Sequence, residues 1–270
     1  ADQGLSRKAD QPDEKIKAIE TEVIDDEKKR IEKLKVMEEM KQMNNIPFRS
    51  TLGSLSHLTR MTRPDIQFST FYHSRYQVDP GTAHWKGLKR ILRYLVSTTD
   101  LKLTADKNLP KFEMYCDSDF GGDPDEKKST TGIIARMYGI PILVKSKIQK
   151  MNAKSSTNAE IIALCDAVEE LVYIQSLLKE LGIEIDPTIQ VDNQPAIDTM
   201  RNQRLVKGNK HIMLRYHFVK DYVQKGMVKL KYVPSEKNLA DIFTKPMKKI
   251  AFKRLRDRLL KPVVAREEQD

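Results

Sequence analysis

Two cysteines in 270 residues are too few for a disulfide framework, and Cys116 and Cys165 lie too far apart in the chain for a zinc motif. They imply a reducing compartment or no redox role. Long hydrophobic runs are also missing. The best candidate, Ile133–Val144, is broken by Arg136, Tyr138 and Gly139, which excludes a membrane span. The first thirty residues are densely charged, which excludes a secretory signal, so an intracellular, non-secreted protein is expected. An initiating methionine is absent as well. The chain begins at Ala1 and is expected to be a piece of something longer.

What the chain has is charge, unevenly spread. Hydrophobic residues make up 39% and charged residues 32%, which is polar for a globular chain but well short of a disordered composition. The net charge is +10. Residues 1–45 hold ten Lys/Arg against twelve Asp/Glu, whereas residues 201–261 hold eighteen against four. That second segment alone exceeds the net charge of the whole chain. Such a block fits a polyanion partner, most simply nucleic acid; the alternative is a solvated lysine-rich surface.

Residues 1–25 show no apolar period and read as disordered. From Asp26 to about Met43, Ile31, Leu34, Met37 and Met40 form a narrow helical stripe. Three helices are expected next: Ser50–Arg60, a second opened by Pro64 and running to about Tyr76, and Thr82–Val96. The third sets Trp85, Leu88, Ile91, Leu92 and Leu95 against Lys86, Lys89, Arg90 and Arg93. It reads either as a basic helix along a nucleic-acid backbone or as an ordinary amphipathic helix. After Leu101 the period changes. Lys111–Cys116, Gly132–Tyr138 and Ile140–Lys145 read as an antiparallel meander. A long helix from Ser156 to about Leu181 follows, ended by Gly182; then come a fourth strand at Thr188–Val191 and a helix started by Pro195. His211–Gln224 reads as helix, Met227–Val233 as strand and Asn238–Thr244 as a short helix. That order is a mixed α/β domain.

The stretch MYCDSDFGGD, residues 114–123, turns from an apolar strand into three aspartates. Three carboxylates at one strand end need water and salt, or a divalent cation, to balance them. Asp117 closes the first strand, Asp192 the fourth, Glu160 lies in the first turn of the long helix and Asp241 in the first turn of the last one. Strand ends and helix starts are where sheet folds place ligands, so these four acids are positioned to converge. Each has a plain alternative. Glu160 stands three after Thr157, the capping-box spacing; Asp192 before Asn193 is turn chemistry; Asp241 suits a helix dipole.

Several motifs, in order, carry a family resemblance. MYCDSDFGGDPDEKKSTTG, AKSSTNAEIIAL, VDNQPAI, NKHIMLRYHFVKDYVQKG and KLKYVPSEKNLADIFTKP resemble the ribonuclease H region of copia-type LTR retrotransposon Pol polyproteins. IPFRSTLGSL, TRPDIQFS and HWKGLKRILRYL resemble the C-terminal end of the reverse transcriptase before it; together the match spans about residues 46–260. The resemblance implies a ribonuclease H-like fold, a mixed sheet preceded by a small helical region. It implies two Mg²⁺ ions, with Mn²⁺ as substitute, held by Asp117, Glu160, Asp192 and Asp241 for cutting the RNA strand of RNA–DNA hybrids. Asp119 and Asp123 fall outside that ligand set. Nucleic-acid contacts are expected of Asn193, Lys210, His211, Arg215, Lys86, Lys89 and Arg90. The implied partners are the hybrid and the rest of the polyprotein, with no membrane, in cytoplasm, virus-like particle or nucleus. The implied division is 1–45 charged segment, 46–106 thumb- or connection-like helices, 107–250 ribonuclease H-like domain and 251–270 basic tail.

Two departures matter. The polymerase motif Tyr-Val-Asp-Asp is absent, so no polymerase site is expected. The histidine-bearing loop of cellular ribonucleases H is also missing, because Val233–Lys237 runs almost directly into the last helix. This leaves the leaving-group proton without an obvious side chain, and His211 and His217 are candidates that read better as packing or phosphate contacts. The alternative function is a catalytically inactive, nucleic-acid-binding remnant. An integrase-like nuclease of the same fold is disfavoured by the fourth acid.

Overall fold

In the computed structural model, which describes residue 43 and residues 45–201 and 210–263, with 210–214 as backbone only, alternate residues of one central strand face two different cores. The disordered start and the Ile31–Met40 helix expected upstream lie outside the described residues. The elements in order are α1 (Phe48–Met61), a 3₁₀ turn (Pro64–Ile66), α2 (Gln67–Ser74) and α3 (Thr82–Val96). There follow β1 (Glu113–Asp119), β2 (Thr130–Met137), β3 (Ile140–Ile148), α4 (Ser156–Glu180), β4 (Thr188–Val191) and α5 (Gln194–Arg201). Then come α6 (Lys210–Gln224), β5 (Lys229–Tyr232), a 3₁₀ segment (Leu239–Phe243) and α7 (Lys249–Leu259), with a two-residue strand at Lys261–Pro262 after it.

β1 to β5 form one mixed sheet in the order β3-β2-β1-β4-β5, and the two-residue strands Leu101–Lys102 and Lys261–Pro262 pair antiparallel in a separate ribbon. β1, β2 and β3 pair antiparallel; β4 runs parallel to β1, and β5 parallel to β4. The mixed α/β fold with helices ahead of it is the one expected. Along β1 the side chains alternate as strand geometry requires. Met114 and Cys116 join Ile133, Ala135 and the buried face of α4, including Ile161, Leu164, Val168 and Leu171. Tyr115 points the other way, into a second core with Ile134, Leu239, Ile242, Phe243, Leu255 and Leu259. Phe48, Leu52, Leu55, Ile66, Leu88 and Ile91 build a third, between α1 and α3.

Local signals set most of the ends. α4 stops in a Schellman arrangement: Ile183 N–H donates to Leu178 O at 2.8 Å and Gly182 N–H to Lys179 O at 3.0 Å. That turn needs a positive φ, which Gly182 supplies at +70°. Three expectations shift. Pro64 opens a 3₁₀ turn, and the α-helix after it ends at Ser74. The last short helix is 3₁₀, five residues long. The first part of the segment expected as a basic tail, residues 251–259, belongs to α7, with Leu255 and Leu259 buried. Its apolar positions are spaced as a helix face but are interleaved with as many lysines and arginines, which hid the period. Among the described residues, no helix is long and apolar enough to cross a membrane.

Candidate metal centre

The parallel register of β1 and β4, with Met114 beside Ile189 and Tyr115 beside Gln190, brings the C-terminal ends of two neighbouring strands together. Asp117 ends up beside Asp192, at the point where the sheet order turns to opposite sides. α4 adds Glu160. One carboxylate oxygen each from Asp117, Glu160 and Asp192 lies within 4.8 Å of the others.

Glu160 does not cap its helix. Ser155 is the N-cap, its Oγ accepting from Asn158 N–H at 3.2 Å, and Glu160 sits in the second turn rather than the first. Its Oε1 accepts instead from Ser118 N–H on β1, also at 3.2 Å. Its Oε2 is buried and has no partner. A buried carboxylate oxygen left without a donor is costly unless something positive meets it. Asp117 and Glu160 are 3% and 6% exposed, so water does little to separate their charges. Burial, then repulsion from Asp192 and Asp241, pushes Asp117 up to about 7. Burial and the charges of Asp117 and Asp192 raise Glu160 well above the carboxylate range. Hard oxygen donors, crowded and short of positive charge, are the donor set a divalent cation such as Mg²⁺ takes.

The 3₁₀ segment supplies the other side. Asn238 anchors it: Nδ2 donates to Cys116 O at 3.0 Å, and Oδ1 accepts from Ala240 N–H at 3.1 Å. Gly132 stands opposite Asp117 across β1 and β2, so a side chain there would point to the same face. A Cβ on Gly132 would meet Ala240 O at 2.6 Å and Thr244 Cγ2 at 2.7 Å. The missing side chain is what lets the segment lie against the sheet. Thr244 Oγ1 then reaches Asp117 Oδ2 at 2.8 Å and Asp241 O at 3.0 Å. Asp241 is close enough to repel Asp117 yet lies outside the three-acid group; its Oδ1 is 2.5 Å from Lys245 Nζ. Although partial burial opposes it, that pairing and the nearby Asp117 and Asp119 raise the lysine's pKa.

The other expected residues divide. Asp123 is engaged by Arg75 of the segment after α2, one contact at 3.2 Å, and by Glu126 N–H. Against the cost of burial, those bonds hold it below the usual carboxylate range. Asp119 folds over Gly122, where a Cβ would meet its Oδ2 at 1.6 Å. Asn193 caps α5, accepting from Ala196 N–H at 2.9 Å. Arg215, expected on phosphate, is tied to Asp166 and Glu169 of α4, the second at 3.2 Å. Lys86 and Arg90 are exposed on α3, and Lys89 stands 5.9 Å over the Trp85 ring. His217 is exposed and meets the Tyr216 ring edge-on. The side chains of Lys210 and His211 lie outside the described residues. Asn238, Gly132, Thr244 and Lys245 had not been singled out from the sequence, although the Asp241–Lys245 spacing of four is a recognisable ion-pair signal.

No family model matches the chain. Among curated proteins it is 36% identical over 210 residues to the retrovirus-related Pol polyprotein from transposon TNT 1-94 of Nicotiana tabacum, covering 77% of this chain. It is 39% identical over 208 residues to the retrovirus-related Pol polyprotein from transposon RE2 of Arabidopsis thaliana, covering 76% of this chain. The chain spans only 16% and 14% of the length of these relatives. Among solved structures it resembles LC11-RNase H1 in complex with RNA/DNA hybrid, at 17% identity and a TM-score of 0.38, over 50% of this chain and 94% of that one.

Proposed function

Because the chain belongs to the copia-type family of retrovirus-related Pol polyproteins, we propose that it is the ribonuclease H part of a retrotransposon reverse transcriptase, a hydrolase that cuts the RNA strand of RNA–DNA hybrids with Mg²⁺. The observation that carries this is the orphaned, buried Glu160 Oε2, on a carboxylate that brings one oxygen within 4.8 Å of an oxygen each from Asp117 and Asp192. Asp117, Glu160 and Asp192 are the residues that would hold the ion. When bound, a divalent cation supplies charge for a phosphoryl oxygen and orients the attacking water.

The chain's own residues do the rest. Ser118 N–H fixes one Glu160 oxygen, leaving the other for the centre. The Thr244 hydroxyl donates to Asp117 Oδ2 and so restrains that carboxylate. Cys116 before Asp117, and Ala159 and Ile161 on either side of Glu160, are buried, so the backbone that carries these carboxylates is shielded from bulk water. The exposed Lys248, Lys249, Lys253 and Arg254, on α7 and just before it, offer phosphate contacts outside the centre.

The test is cleavage of a labelled RNA–DNA hybrid with Mg²⁺, with and without EDTA, for the parent chain, Glu160→Gln and Asp192→Asn. Loss of cleavage in both variants at unchanged hybrid binding is expected. Glutamine would satisfy any capping role, so a fully active Glu160→Gln chain would refute the metal reading. Hybrid binding without cleavage by the parent chain would instead favour the inactive remnant.

A further inference from the structure

The fourth acid already has a cation, and the chain provides it. Asp241 is 9% exposed, and its Oδ1 lies 2.5 Å from Lys245 Nζ. The three oxygens able to surround one ion come from Asp117, Glu160 and Asp192 and leave Asp241 out. The ammonium is near enough to Asp117 and Asp119 to offset their charge as well. It is a compact charge on a flexible stem, half-buried, set among three acids. A second divalent ion arriving at Asp241 must first displace it.

We propose that Lys245 is the built-in counter-ion of the fourth acid, so that the free chain takes up one divalent cation, at Asp117, Glu160 and Asp192, and the place beside Asp241 stays closed to a second. This rests on the reading that those three acids hold a divalent ion. The 3₁₀ segment makes the device possible, because Gly132 admits it close to β1 and Asn238 pins it there. Lys245 follows the Thr244 cap of that segment, so its backbone is anchored while its side chain stays 41% exposed. A hybrid phosphate, which accepts from an ammonium as a carboxylate does, is the chemistry able to draw the head off Asp241. Lys245 is thus a positioning residue: it determines how many ions the centre holds before substrate arrives.

The experiment is Mn²⁺ uptake by the purified chain, read from the free-ion electron paramagnetic resonance signal, with folding checked by circular dichroism. The parent and Lys245→Arg are expected to bind one ion per chain, and Lys245→Met two. Lys245→Gln serves as a second neutral variant should Lys245→Met fold poorly. Two ions in the parent, or one ion at parental affinity in the folded neutral variants, would overturn the inference. No uptake by the parent at all would instead bring down the three-acid metal centre on which it rests.

Discussion

Replacing Asp117 with asparagine should stabilise the metal-free chain. In the folded protein this carboxyl is raised from 3.8 to about 7, first by burial and then by Asp192 and Asp241. The folded state therefore holds the proton more tightly than the unfolded chain. The stability it contributes is fully present below the unfolded value, near pH 4, and is lost as pH rises through about 7. A shift of about three units corresponds to roughly 4 kcal/mol at the top of that range. Part of it belongs jointly to the neighbouring acids, so a gain of about 2–4 kcal/mol near pH 8 is the expectation for the variant. Asparagine keeps the volume and can still accept from the Thr244 hydroxyl, so the substitution leaves no cavity. For a chain of this size the gain should appear as a Tm higher by roughly 5 °C or more. Thermal unfolding in EDTA near pH 8 and near pH 5 measures it, and most of the gain should vanish at the lower pH. Mg²⁺ at a hundredfold excess over its Kd adds about 2.7 kcal/mol to the parent alone, so it should offset most of the variant's advantage. A metal-free variant no more stable than the parent near pH 8, or equally advantaged at both pH values, would refute the charge-repulsion argument.

Gly132→Ala should cost about 1–3 kcal/mol, because the new methyl meets backbone at Ala240 O and must push the 3₁₀ segment outward. A lowered Tm together with weaker Mn²⁺ uptake is expected; an unchanged Tm would mean the segment is not pressed on the sheet. Neutralising Lys248, Lys249, Lys253 and Arg254 together should flatten the salt dependence of hybrid binding, by a log–log slope of about 0.9 for each phosphate contact removed. The parental slope in that variant would mark these four charges as solvated surface.

Much of the architecture was legible in the chain. Hydrophobic period, proline and glycine placed α3 and β4 at their observed limits, Thr82–Val96 and Thr188–Val191, because those signals act within a few residues. Charge hid what lay further on: in α7 the lysines and arginines outnumber Phe252, Leu255 and Leu259, whose burial shows only once the second core is assembled. At the centre, strand ends and motifs pointed to four acids. The structure gathers three of them and gives the fourth to Lys245. Residue type and spacing could propose that Glu160 caps α4; only packing shows Ser155 doing so and Glu160 turned to Ser118. Gly132 and Asn238 lie within the quoted motifs, but nothing local assigns them a role, because those roles exist only across the sheet, 122 residues apart for the Asn238 bond to Cys116. The sequence by itself determined which elements form and which carboxylates end them, since caps, periods and turns are local. Tertiary structure alone decided which oxygens meet, which are already satisfied and which is left bare, because burial and charge balance depend on neighbours distant in the chain.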